Sequence, residues 1–381
     1  MERHAFHHRV IRYVRRSFAV GAALTAAGLM AGTHPAHAEK IVIGYMPILN
    51  QAEAVSEYLG LYKKYGLEVE LKLFQNGPAS LRALLSGDVQ VSEAGVVPML
   101  NMAGQGLPVY YLTSGGITTP EYPGGTIMIR NGDTTTRSFK DLKGKQIGQL
   151  GKGTNTYFWL WNATNKFGMQ RSDLKEVFVP FPQMGDLLAS KQVDAVYAWP
   201  PFDTLIAKSG RGKLLVDDAA WNPYTVVNAI AVRRDWADKN PDTVKKIVKI
   251  TIETNRWIND NPYKAREILG KNIKLPEDVY KTMRLSYFPR NGYQMMPSIW
   301  DFYHLMVSTG EFQAFPDPKA VFDRYWIEPA RKFIAPALHD LGLQDDPTVK
   351  KALKIKLQNL PQPLEAYLAP WERDEPLRSG N

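Results

Sequence analysis

Along the first 230 or so residues, short apolar runs that end in turns alternate with stretches whose apolar positions recur every three or four residues. Ile41-Val42-Ile43-Gly44-Tyr45 reads as a buried strand running into a turn, and Lys145-Gln146-Ile147-Gly148-Gln149 reads the same way 104 residues later. Leu84-Leu85-Ser86-Gly87-Asp88-Val89-Gln90-Val91 has the form helix end, turn, strand. Leu188-Ala189-Ser190-Lys191-Gln192-Val193-Asp194-Ala195 repeats that form at the same offset of 104. One spacing shared by two separate segments predicts a duplicated βαβ unit with parallel strands. The first copy is predicted to run helix 51–65, strand 67–74, helix 78–85, strand 89–92. The second runs helix 156–167, strand 176–181, helix 184–190, strand 195–198. This alternation predicts an α/β protein with an open sheet in each of two lobes.

Residues 229–232 read as a strand returning from the second lobe, and the pattern after them is mostly helical. Asn240-Pro241-Asp242 starts a helix that carries Val244, Ile247, Val248 and Thr251 on one face. Further helices are predicted over 262–269, 276–285, 298–307 and 318–325. The chain therefore divides into a first part of lobe 1 (39–126), lobe 2 (127–228) and a return strand with C-terminal helices (229–343). Residues 344–381 read as a helix and a loose, proline-punctuated tail. Lys350, Lys351, Lys354 and Lys356 there fit a solvated helix face, with contact to a membrane or permease as the alternative.

The 381 residues carry 47 basic and 38 acidic side chains, a net charge of +9 that would ordinarily raise nucleic acid as a partner. Its distribution removes that reading. Arg9, Arg12, Arg15 and Arg16 precede an apolar, small-residue stretch over 18–30, and Ala36-His37-Ala38 supplies a signal-peptidase site. Residues 1–38 are thus predicted to be a signal peptide cleaved after Ala38. Arg15-Arg16-Ser17-Phe18 fits a twin-arginine signal, while Val14 in place of Ser or Thr leaves the general secretion route open. The segment holds five of the basic and one of the acidic residues, so 42 and 37 remain beyond it, a net of +5 over 343 residues. Five of the seven histidines also fall there, leaving His304 and His339, and the chain has no cysteine. Disulfides, a thiolate metal site and a lipidated cysteine are therefore excluded, and no metal or cofactor is predicted.

Candidate chemistry lies at the turns after strands, where small ligands meet α/β sheets. Gly151-Lys152-Gly153-Thr154-Asn155-Thr156 follows a strand and opens a helix, so its N–H groups and the positive end of the helix dipole favour an anion. It is not a phosphate-binding Walker loop, because Gly153 follows Lys152. An ordinary N-cap by Thr154 or Asn155 is the competing explanation. Glu93-Ala94-Gly95-Val96-Val97-Pro98 makes the matching turn in lobe 1, and Trp199 ends a lobe 2 strand, where it serves as a pocket wall or a core residue. No Gly-x-Ser-x-Gly elbow is present and neither remaining histidine has an evident serine partner, so the residues favour binding over catalysis.

The chain resembles the periplasmic solute-binding proteins of ABC importers for taurine, alkanesulfonate and nitrate, the NMT1/THI5-like group. The resemblance runs from about residue 40 to 262. It rests on Ile43-Gly44-Tyr45, Phe74-Gln75-Asn76-Gly77-Pro78, Ala83-Leu84-Leu85-Ser86-Gly87-Asp88-Val89, Gly95 with Pro98, Asp141-Leu142-Lys143-Gly144-Lys145, Gly153-Thr154, Asp194-Ala195 with Trp199, and Val232-Arg233-Arg234-Asp235. It implies the type II periplasmic-binding-protein fold, with ligand in the cleft between two open α/β sheets, in a monomeric exported protein that serves an ABC permease in the periplasm. By position it implies a substrate site of Tyr45, Asn50, Glu93, Gly95, Val96, Thr113, Ser114, Thr154, Asn155, Thr156, Tyr157, Trp199, Phe202 and Asn228. The anion end meets the Thr154 turn and the Gly95 and Val96 amides, with Thr154 as a side-chain donor.

Departures from the family pattern bear on the ligand. Val96 and Val97 replace small hydroxyl residues, Met46 replaces a polar one, and Asn228 stands where an acid would meet a ligand ammonium group. A larger or more apolar carboxylate or sulfonate, aromatic or aliphatic, is expected in place of taurine. The alternatives are a binding protein for a pyrimidine precursor of thiamine, or an enzyme of the THI5-like group. The enzyme reading would want the histidine and cysteine that this chain lacks.

Overall fold

The computed structural model describes residues 40–346, except 47, 49–51 and 224. The predicted export segment 1–38, candidate Asn50 and the tail from 347 onward lie outside the described residues.

Two five-stranded sheets organise the chain. Sheet 1 is built from β1 (Lys40–Tyr45), β2 (Glu68–Leu73), β3 (Val91–Gly95), β4 (Val109–Ser114) and β12 (Asn228–Arg233), in the order β2-β1-β3-β12-β4. Sheet 2 comprises β6 (Thr126–Arg130), β7 (Gln146–Gln149), β8 (Lys175–Phe178), β9 (Ala195–Ala198) and β10 (Gly212–Asp217), in the order β10-β6-β9-β7-β8. The 104-residue offset is a structural repeat. β1 pairs β3 in parallel with Ile43 opposite Val91 and Gly44 opposite Ser92, and β7 pairs β9 with Ile147 opposite Ala195 and Gly148 opposite Val196. An antiparallel strand flanks each unit, β12 beside β3 and β6 beside β9. Between the sheets, β5 (Ile117–Thr118) and β11 (Thr225–Val226) pair as a short ribbon where the chain crosses and returns.

The helices of the two units are α1 (Glu53–Tyr58), α2 (Leu61–Lys64), α3 (Gly77–Ser86), α4 (Val96–Gly104), α5 (Asn155–Lys166), α6 (Phe181–Ala189) and α7 (Phe202–Lys208). The single helix predicted over 51–65 is broken in two, because Gly60 adopts a left-handed conformation at φ +66°. The strand predicted to 181 stops at Phe178, where Pro180 and Pro182 turn the chain into α6.

The remaining helices are α8 (Arg234–Lys239), α9 (Pro241–Asp260), α10 (Pro262–Asn272), α11 (Glu277–Tyr280), α12 (Met296–Ser308), α13 (Pro318–Phe322) and α14 (Ala335–Asp340). α9 buries Val244, Ile247, Val248 and Thr251 on the predicted face, together with residues as far as Asn259. The helix predicted over 276–285 survives only as α11. Tertiary demands extend the chain after it: Arg284 ion-pairs with Asp203 at 2.7 Å and Asp217 at 2.5 Å, and Tyr287 exchanges both backbone hydrogen bonds with Ile117 of the ribbon. The helix predicted over 318–325 instead runs on through wider π-type turns at Asp323–Ile327 and Ala330–Ile334 into α14.

Gly270, in α10, is set by packing. A methyl group there would lie 2.2 Å from Cβ of Tyr280 in α11, an atom fixed to the backbone and unable to swing away. Alanine would add about 1 kcal/mol of helix propensity, but overpacking costs about 1–3 kcal/mol. Gly270→Ala is therefore expected to lower the urea midpoint of unfolding; a raised midpoint would show that α10 and α11 are not in this contact.

Candidate functional site

The C-terminal ends of the strands in both sheets face one cavity of about 720 Å³. Sheet 1 supplies Gln75, Asn76, Gly77, Pro78 and Arg82 of the α3 segment, Gly95 and Pro98 of the α4 start, and Val227 with Asn228. Sheet 2 supplies Thr154, Asn155, Thr156 and Trp159 of α5, residues 178–183 around the start of α6, and Trp199 with Phe202. The walls are aromatic: Trp159 stacks on Trp199 with ring centroids 5.0 Å apart, and Phe181 stacks on Phe202 at 5.3 Å. Among the described lining residues none is Asp, Glu or His, and two are cationic, Arg82 and Lys152.

Several helices start at this cavity, and most of those starts are occupied by the protein's own chemistry. In α3 the Asn76 side chain accepts from Ala79 N at 3.0 Å, and Pro78 has no N–H. In α4, Val97 N donates to Asn155 Oδ1 at 3.0 Å, and Pro98 again lacks a donor. In α6, Pro182 lacks a donor and Gln183 N is taken by Pro180 O. α5 is different. No side chain caps it, because Thr154 Oγ1 donates to Gly151 O at 2.6 Å instead of accepting from the first turn. The first-turn amides of Asn155, Thr156 and Tyr157 have no acceptor among the described residues. Four residues of this turn, Lys152, Thr154, Asn155 and Thr156, line the cavity, and the open donors of α5 are backbone N–H groups. The expectation that the Thr154 hydroxyl donates to ligand is corrected, since its proton is spent on Gly151.

Asn155 joins the two sheets. While Oδ1 takes Val97 N–H, Nδ2 donates to Val227 O at 2.7 Å. Gly95 makes room for it, as a Cβ at that position would lie 2.7 Å from Asn155 Oδ1.

Of the residues predicted for the site, Gly95, Thr154, Asn155, Thr156, Trp199, Phe202 and Asn228 line the cavity, whereas Tyr45, Glu93, Val96, Thr113, Ser114 and Tyr157 do not. Tyr157 turns away, donating its hydroxyl to Glu311 Oε1 at 2.6 Å. Tyr45 faces Asn272, whose amide reaches its hydroxyl at 3.4 Å. Val96, Thr113 and Ser114 are buried. Strand alternation sends Glu93 to the opposite face of sheet 1 from Ser92, whose hydroxyl bonds Ser80 of α3. The residues missed by sequence reasoning include Arg82 and Trp159. Both carry a helical signal, each one turn after a cavity residue on the same face, Pro78 and Asn155.

Glu93 sits behind the cavity. Its Oε1 accepts from Asn228 Nδ2, and Asn228 Oδ1 accepts from Gly116 N at 2.8 Å. Its carboxyl lies close to that of Glu53, and both are buried beside a pocket of about 20 Å³ that Ser56, Tyr62 and Asn255 help to line. Burial, followed by the proximity of Glu53, drives the Glu93 carboxyl well above the usual carboxylate range. Burial likewise raises Glu53. At the crossing between the sheets, burial pushes Asp218 up to about 7, against the hydrogen bonds it receives from Tyr197, Gly125 and Gly124.

This architecture is that of a two-lobed periplasmic binding protein. It resembles the ligand-binding component of an ABC-type import system of Staphylococcus aureus, solved with zinc bound (TM-score 0.64, 18% identity, 75% of this chain and 96% of that one). It also resembles the alkanesulfonate-binding protein SsuA of Xanthomonas axonopodis bound to MOPS (TM-score 0.60, 19% identity, 78% and 97%). At those identities the likeness speaks for the fold. Residues 34–271 match the model of the NMT1-like family, and the chain belongs to that family. The taurine-binding periplasmic protein of Escherichia coli is 27% identical over 258 residues, 67% of this chain and 75% of that protein. Among the described residues no helix is long and apolar enough to cross a membrane, and no group of three or more His, Cys, Asp or Glu could hold a metal ion.

The raised carboxyls fix the sign of a pH effect. A carboxyl with a folded pKa above its unfolded value contributes stability that is complete below the ordinary carboxylate range and is lost as pH rises toward the folded value. For Asp218 the loss is spread from that range to about 7, and Glu93 acts in the same direction. Between pH 5 and 7 the unfolding constant of the wild type should therefore climb more steeply than that of Glu93→Gln, by up to about tenfold per pH unit. Urea unfolding at several pH values would measure this, and parallel profiles would mean that Glu93 holds no extra proton.

Proposed function

We propose that this chain is an exported solute-binding protein that captures a small organic anion, a carboxylate or sulfonate with an apolar and preferably aromatic body, and delivers it to an ABC-type permease. The observation that carries this reading is the uncapped start of α5, whose amides at Asn155, Thr156 and Tyr157 have no acceptor among the described residues, opening into an aromatic-walled cavity with no acidic side chain among its described lining residues. Backbone donors at the positive end of a helix stabilise negative charge and need no rearrangement to do so. The stacked pairs Trp159–Trp199 and Phe181–Phe202 supply the surface for the apolar body.

Taurine fits less well, since none of the described lining residues is a carboxylate that could receive its ammonium group. A cavity of about 720 Å³ also exceeds what a nitrate-sized ion could fill. Lobe 2 (127–228) would close on lobe 1 (39–126 with 229–343) around the ligand, and the closed face would be what the permease reads. The basic, small-residue segment 1–38 supports export to the periplasm by the twin-arginine or general secretion route. Neither His304 nor His339 lines the cavity, so no observation favours the enzymatic alternative.

Thr154→Asp tests the anion end. An aspartate at the N-cap would accept from the α5 amides and add its charge to the dipole, leaving stability equal or raised by about 0.5–2 kcal/mol. It should weaken the anion, identified by native mass spectrometry of the purified protein or by a thermal-shift screen, at least about tenfold. Unchanged affinity in a folded variant would move the anion site elsewhere, and stabilisation by taurine or nitrate alone would overturn the ligand class.

A further inference from the structure

The cavity holds a second positive point that a simple monoanion would leave unused. Arg82 extends from α3 in lobe 1 and lines the cavity, and it has no hydrogen bond or ion pair among the described residues. Lys152, the other cation of the lining, is paired with Glu311 at 3.3 Å. No acidic side chain of the lining is available to neutralise Arg82. The open amides of α5 belong to lobe 2, so the two points able to hold negative charge stand on opposite lobes. The same cavity is walled by the aromatic rings of Trp159, Trp199, Phe181 and Phe202.

A monoanion bound at the α5 amides would leave the exposed guanidinium of Arg82 without an anionic partner. A ligand with an anionic group at each end of a flat apolar spacer satisfies both points and ties the lobes together. We infer that the ligand is a two-headed anion, an aromatic dicarboxylate or sulfocarboxylate, with one head on the α5 amides and the other on Arg82. This rests on the anion-binding reading above and adds the second head. Arginine suits that role because its planar fork can donate two parallel hydrogen bonds to a carboxylate or sulfonate.

The test compares matched probes on the purified full chain by calorimetric titration at constant ionic strength: benzoate with terephthalate, and benzenesulfonate with 4-sulfobenzoate. In each pair the dianion is expected to bind at least about tenfold more tightly than the monoanion. Arg82→Gln should reduce that ratio to about threefold or less, and Arg82→Lys, which keeps the charge but loses the fork, should leave an intermediate ratio. Arg82 is exposed, so both variants are expected to fold, with circular dichroism as the check. Equal binding within each pair, or a dianion advantage that survives Arg82→Gln, would overturn the second head while leaving the anion site in place. Failure of all four probes to bind would overturn the aromatic-anion reading itself, and this inference with it.

Discussion

The side-chain amide of Asn155 governs the geometry of the cleft. Its oxygen takes the Val97 N–H and its nitrogen donates to the Val227 carbonyl, so one residue at the first turn of α5 bonds to both chain segments at the edge of sheet 1. The contact is possible only because Gly95 has no side chain to occupy that space. With Asn155 spent on lobe 1 and the Thr154 hydroxyl spent on Gly151, neither residue can cap its own helix, and the first-turn amides stay open toward the cavity. A structural requirement, joining the lobes, thus leaves open the polar groups on which the proposed anion binding rests.

Behind this surface, polar burial is arranged with little charge. Glu53 and Glu93 lie together under sheet 1, burial raising the pKa of each, and Glu93 holds the amide of Asn228 from the far side of the sheet. Asn228 is held in turn by Gly116, at the crossing between the lobes, and Asp218 gathers the amides of Gly124 and Gly125 at the same crossing. The cleft floor at Asn228 and the crossing strands are therefore fixed largely by side chains behind the cavity. Arg284, reaching from the C-terminal region to Asp203 and Asp217, ties the last third of the chain to lobe 2 and explains why the chain there is extended.

Much of the fold was legible because periodicity is a local property. The 104-residue offset predicted a duplication, and the strand registers Ile43 to Val91 and Ile147 to Ala195 carry that offset into the hydrogen bonding. The long helix α9 followed from its apolar face and its Asn-Pro start. Boundaries failed where a distant partner decided them, as at residues 281–287, or where one glycine conformation did, as at Gly60.

The sequence by itself determined that the chain is a duplicated α/β protein, that nearly half of its charge excess lies in the first 38 residues, and that the turn at 151–156 could receive an anion. Only the tertiary structure decided which groups remain free to do so. Whether a donor is open depends on every acceptor within about 3 Å, and for Asn155, Glu93 and Tyr157 those partners lie far along the chain, with Glu311 more than 150 residues from Tyr157. The same limit hid Arg82. A surface arginine on a helix reads as merely solvated until the fold places it on the lining of a cavity shared with the facing lobe.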